Sequence, residues 1–140
     1  MNRGRLKGTL IRHEGLVLKP YEDSLGIKTI GIGRNLESRG ITQHEAEHLL
    51  DNDLELCERE LRQNFDFFEK LSDTRQEVLM NMCFQLGYTR LSGFKRMIHA
   101  LSQNDFYIAA EEMLDSKWAI QTPTRADELS TVMARNKWGD

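Results

Sequence analysis

The stretch Glu14–Gly33 reads EGLVLKPYEDSLGIKTIGIG, and its reading decides the fold class. Just upstream, Leu6, Leu10 and Ile11 recur at helical spacing. Gly15 supplies a C-terminal stop, so a first helix ends at Glu14. LVLKPY (16–21) and KTIGIG (28–33) are strand-type runs, and EDSLGI between them carries the Asp, Ser and Gly of a turn. That alternation predicts a small β-hairpin. Beyond it the pattern changes period. Thr42-Gln43-His44-Glu45 is a capping box, and it opens a long helix with Ala46, Leu49, Leu50, Leu54, Cys57 and Leu61 on one stripe. An aromatic cluster follows at Phe65, Phe67 and Phe68. Ser72 then caps a helix carrying Val78, Leu79, Met82, Cys83 and Leu86, stopped by Gly87. Further helical stripes run through Phe94, Met97, Ile98 and Leu101, and through Ala109, Ala110, Met113 and Leu114. Thr122-Pro123 is an N-cap with proline at the first helical position, ahead of Ala126, Leu129, Val132 and Met133. The class is α+β: a hairpin region near the N-terminus, then a helical body.

Composition narrows the function. With 140 residues, 39% hydrophobic and 29% charged, the chain can bury one core and is neither disordered nor collagen-like. No run of about 18 apolar residues exists to span a membrane. MNRGRLKGTLIRHEG at the start has charge but no apolar signal core, so a cytoplasmic origin is expected. The net charge of -3 argues against a dedicated nucleic-acid binder. Charge is uneven: residues 1–13 hold Arg3, Arg5, Lys7 and Arg12 without an acid, whereas acids dominate residues 42–60. Solvated helix faces account for both, and the first could also face a polyanion. Cys57 and Cys83 fall on apolar stripes and read as buried free thiols.

Three constellations could carry chemistry. His44-Glu45-Ala46-Glu47-His48 fits the HExxH zinc pattern, but both histidines lie opposite the apolar stripe and Glu45 is engaged in the cap. No metal site is expected there. Gly31 and Gly33 begin a dinucleotide-type glycine pattern that fails at Leu36 and lacks a βαβ unit, so they mark a bulge or a close backbone approach to a ligand instead. The third set is Glu14, Asp23 and Thr29. A carboxyl at a helix C-terminus meets a dipole that disfavours negative charge, which suits a proton donor. Asp23 in the hairpin turn can stay ionised, and the Thr29 hydroxyl can orient water. An acid, a base and a cleft serve glycoside hydrolysis. By spacing alone, ordinary punctuation of a helix end and a turn is the better reading of these residues.

The string as a whole goes further. Glu14-Gly15-Leu16, Lys19-Pro20-Tyr21, Asp23, Gly26 and Thr29-Ile30-Gly31-Ile32-Gly33 resemble the phage-type lysozymes, glycoside hydrolase family 24. So do Gly40-Ile41-Thr42 with Glu45-Ala46-Glu47, then Asn81-Met82-Cys83-Phe84-Gln85, Gly87, Gly93-Phe94, Trp118 and Gln121-Thr122-Pro123-Thr124-Arg125. The resemblance runs in order over nearly the whole chain. It implies a lysozyme-like fold: a hairpin lobe at about 15–41, a connecting helix at about 43–62, and a helical lobe at about 65–140 that includes the N-terminal helix. It implies a muramidase that cleaves the β-1,4 bond between N-acetylmuramic acid and N-acetylglucosamine in peptidoglycan, with inversion at the anomeric carbon.

Carried over by position, Glu14 is the general acid, and Asp23 with Thr29 holds the attacking water. Asn81 and Gln85 contact the glycan, and Arg125 pairs with Glu14. The resemblance further implies an endolysin that leaves the host cytoplasm through a holin, acts as a monomer and needs no metal or cofactor. A lytic transglycosylase and an inactive wall-binding module of a virion are the alternatives. Phe84 reads as core or as a cleft floor, and Trp118 as core. Two departures stand out. Arg34 occupies the position where the family commonly has histidine, so a salt bridge or substrate contact made there should be rewired. The segment between hairpin and long helix is also short, which predicts a trimmed lobe with fewer glycan contacts.

Overall fold

The computed structural model describes residues 1–139. Its elements are α1 (Arg3–Glu14), β1 (Val17–Glu22), β2 (Lys28–Gly31), β3 (Arg34–Asn35), α2 (Gln43–Asn64), a 3-10 turn (Phe68–Lys70), α3 (Asp73–Leu86), α4 (Tyr88–Leu91), α5 (Lys95–Ser102), α6 (Phe106–Leu114), α7 (Lys117–Gln121) and α8 (Pro123–Arg135). The α+β class is as expected from the sequence. Among the described residues, no helix is long and apolar enough to cross a membrane. Contacts divide the chain into two compact units, Met1–Leu49 and Leu50–Asp140.

The first unit holds α1, the sheet and the start of α2. Asn2 caps α1 by accepting from the Arg5 backbone N–H at 2.9 Å. Gly15, at φ 81°, ends the helix and returns its N–H to the Ile11 carbonyl. Only glycine takes that backbone cheaply. The sheet is antiparallel in the order β1-β2-β3. Tyr21 pairs with Thr29 and Val17 with Gly31, and the register shifts between those pairs. The third strand was not foreseen. It pairs Asn35 with Thr29 and Arg34 with Ile30, so Thr29 is bracketed on both sides.

The second unit carries the apolar core. Leu61, Phe68, Val78, Leu79, Met82, Leu91, Met97, Leu101, Met113, Leu129 and Met133 are fully buried. The helix α6 packs on α5 and α8, and α8 also packs on α3 and α7. Local signals set the helix limits. The Ser72 hydroxyl accepts from the Arg75 N–H, and Gly87 at φ 80° stops α3. Asn136 ends α8 in the left-handed conformation. The orphan carbonyls there are satisfied from a distance: the Arg75 guanidinium donates to the Met133 and Ala134 carbonyls while lying 3.6 Å over the Phe106 ring. Thr122 departs from expectation. Its hydroxyl donates back to the Trp118 carbonyl, closing α7, and makes no side-chain cap on α8. Trp118 is buried, as expected, but Phe84 is 45% exposed and does not belong to the core. Cys57 and Cys83 are both free and buried. Burial, with the neighbouring Cys57 thiol, pushes the Cys83 thiol up to about 12, which keeps it neutral and unreactive.

Candidate active site

The first unit holds the three polar side chains singled out from the sequence: Glu14 at the end of α1, Asp23 in the hairpin loop and Thr29 on β2. Glu14 is the last residue of α1 and is exposed. Its carboxyl lies directly over Gly33. A methyl group added there would sit 2.6 Å from Glu14 Oε2 and 3.0 Å from its carboxyl carbon. Gly33, at φ 64°, therefore serves both a left-handed turn and the space that the acid occupies. Of the two glycines only Gly33 makes a close approach, and it is to the chain's own Glu14 carboxyl; a Cβ at Gly31 would meet nothing within 4 Å.

Asp23 opens the hairpin loop. Its Oδ1 accepts from the Leu25 N–H at 2.8 Å and the Ile27 N–H at 2.9 Å. Its own N–H donates to the Ile27 carbonyl, and Gly26 at φ 78° lets the loop close. These bonds spend one carboxylate oxygen on the turn and leave Oδ2 for other work. Thr29 is 4% exposed, and its hydroxyl donates to the Ile27 carbonyl at 2.8 Å. The proton is thus committed, and the hydroxyl oxygen can act towards a water only as acceptor. Asp23 and Thr29 are anchored on the same residue, Ile27, from opposite sides of the turn.

The remaining positions named from the resemblance lie in the second unit. Arg125 Nε and Nη2 donate to Asn81 Oδ1 at 2.9 and 2.6 Å, and Nη2 also reaches the Asn81 carbonyl at 3.3 Å. Trp118 Nε1 donates to Gln85 Oε1 at 2.8 Å. Both amides therefore have their oxygens occupied, which orients their NH2 groups as donors. A pocket of about 760 Å³ opens beside Trp118 and Phe94, and Arg90, Lys95 and Lys117 contribute to its wall. His44 and His48 are exposed on α2, and no group of three potential metal ligands gathers among the described residues.

The rewired contact expected at Arg34 has partners that the sequence reading did not name. Arg34 Nη1 donates to Glu45 Oε1 at 2.9 Å and to the Gly40 carbonyl at 3.0 Å. Glu45 also completes the capping box: Oε1 accepts from the Thr42 N–H at 2.9 Å, and the Glu45 N–H donates to the Thr42 hydroxyl at 3.1 Å. The Arg34 bond, followed by the Thr42 N–H, holds the Glu45 carboxyl down at about 2. Its ordinary value is 4.5, so the unfolded chain takes up a proton before the folded one does. The stabilisation is complete above about pH 4.5 and is lost as pH falls towards 2. Carbon-13 NMR of the Glu45 carboxyl should titrate near 2, and in Arg34→Ala the midpoint should move up towards the ordinary value.

Residues 11–137 match the family model for phage lysozyme. The chain belongs to the phage lysozyme family. It is 28% identical to a probable T4-type lysozyme of Dictyostelium discoideum, over 91% of this chain and 92% of that one. An endolysin of Salmonella phage P22 is 29% identical over 81% of this chain and 82% of its own length. A pre-baseplate central spike protein of Enterobacteria phage T4 matches at 28% over 89% of this chain, but over only 26% of its own length. Within the phage lysozyme family, the match spans every element from the end of α1 to the end of α8.

Proposed function

We propose that the chain is a muramidase that hydrolyses the β-1,4 bond between N-acetylmuramic acid and N-acetylglucosamine in bacterial peptidoglycan. The observation that carries this reading is the frame of the first unit, in a chain of the phage lysozyme family. A carboxyl at a helix end lies over Gly33, and a second carboxylate shares the Ile27 anchor with a buried threonine. Glu14 protonates the glycosidic oxygen as the bond to the muramic C1 breaks. Asp23 Oδ2 takes a proton from the attacking water, and Thr29 Oγ1 accepts that water's other hydrogen. The water adds to C1 opposite the leaving group, so the product inverts. Asn81 and Gln85 donate from their NH2 groups to sugar or acetamido oxygens, and Arg125 keeps Asn81 oriented. The enzyme acts as a monomer on the wall, after a holin releases it from the host cytoplasm. The match to a central spike protein favours a second setting, carriage on the virion, with the same reaction.

Purified peptidoglycan digested with the protein, with the released fragments analysed by mass spectrometry, tests the reaction. Reducing N-acetylmuramic ends are expected. Anhydro-muramic ends would assign transglycosylation instead, and the absence of any released fragment from the folded protein would remove the enzymatic reading.

A further inference from the structure

Arg34 sits at a junction. Its backbone belongs to β3 and pairs with Ile30, while the next residue, Asn35, pairs with Thr29. The residue before it, Gly33, is the floor beneath Glu14. Its side chain leaves the sheet and binds Glu45 and the Gly40 carbonyl, and Glu45 is fastened in turn to Thr42 at the start of α2. A two-residue strand has little pairing of its own to hold it in register. Beyond the Leu36 N–H bond to the Lys28 carbonyl and the Asn35 side chain's bonds into the next turn, the Arg34 side chain ties this strand, just after Gly33, to a helix N-terminus.

We propose that Arg34, clamped to Glu45 and Gly40, is a positioning residue for the reaction. It holds Gly33 under the Glu14 carboxyl and holds β3 against Thr29. It touches neither substrate nor reacting atoms. The clamp suits this task. The guanidinium keeps its charge at every working pH, and the Glu45 carboxyl stays ionised well below the ordinary carboxylate range. The same proton donor also serves two acceptors on different segments, the turn at Gly40 and the helix at Glu45. Releasing it frees the Gly33 turn. A displacement of an acid by about 1 Å can cost on the order of 10²-fold in rate. The role rests on Glu14 being the acid.

The test is steady-state kinetics on soluble, uncrosslinked peptidoglycan strands, held well below the melting temperature. Arg34→Ala should lower kcat about tenfold or more and leave KM within about twofold, because ground-state sugar contacts are untouched. Arg34→Lys, which can still donate to Glu45, should recover part of kcat. Arg34→Ala combined with Glu45→Ala should be no worse in kcat than the poorer single variant, because both break one clamp. Should Arg34→Ala fail to fold, Arg34→Gln takes its place in the same comparison. Wild-type kcat in a folded Arg34→Ala, with only the melting temperature lowered, would overturn the positioning role and leave the reading of Glu14 intact. Glu14→Gln, run alongside, separates the two: full activity there would overturn the reading of Glu14 and the positioning role together.

Discussion

Glu14→Gln is expected to lower peptidoglycan hydrolysis by about 10³-fold while the protein remains folded. Glutamine has the same shape, so the side chain can keep its place over Gly33 and the turn beneath it need not move. What it lacks is a proton it can give away. The leaving oxygen must then depart as an alkoxide, or wait for a proton from solvent. Glu14 also ends α1, where the helix dipole disfavours a negative charge. Replacing it with a neutral amide should leave the melting temperature unchanged or raise it slightly. A large loss of rate with no loss of stability is the signature of a group kept for chemistry. Circular dichroism melts and initial rates on the same preparation check both halves. Normal hydrolysis by the variant would remove Glu14 from the mechanism.

Gly33→Ala is expected to be nearly as damaging to activity, for a different reason. The new methyl would lie 2.6 Å from Glu14 Oε2, far inside contact distance, and φ at this position is 64°. The backbone penalty for a residue with a Cβ is about 1–2 kcal/mol. The clash itself is relieved cheaply in stability, since the far end of a mobile side chain can swing away. It is not relieved cheaply in function, since that far end is the proposed acid. A fall in kcat of about 10²-fold is expected, with a modest drop in melting temperature. Full activity in a folded Gly33→Ala would mean that Glu14 can work from a position other than the one seen.

Much of this was legible in the sequence because the signals are local. Gly15, Gly87, the Thr42–Glu45 box and Pro123 each act within a few residues, and each ends or starts a helix where expected. The hairpin was legible for the same reason, with its turn residues between two strand-type runs. The third strand was not, because Arg34–Asn35 is too short to show any period. Its partner in the fold, Glu45, lies 11 residues away and already had a role in the cap, so nothing marked it for a second. The approach of Gly33 to Glu14 spans 19 positions, and the sequence could say only that glycines there make room for something. Phe84 lies off the apolar stripe of α3, yet its aromatic ring still reads as core or cleft floor. It adjoins the buried Met82 and Cys83 on α3, and only packing reveals that it turns outward.

Thr29 is bracketed between two strands and shares the Ile27 anchor with Asp23, and in the proposed reaction this pair holds the attacking water. An acid on one side of the bond and a held water on the other have one joint consequence, which neither produces alone. Proton NMR of the anomeric signal in the first minutes of digestion, before mutarotation, reads it directly. The α-anomer of the new N-acetylmuramic end is the expected product. The β-anomer would contradict delivery of water by Asp23 and Thr29 from the face opposite the leaving group.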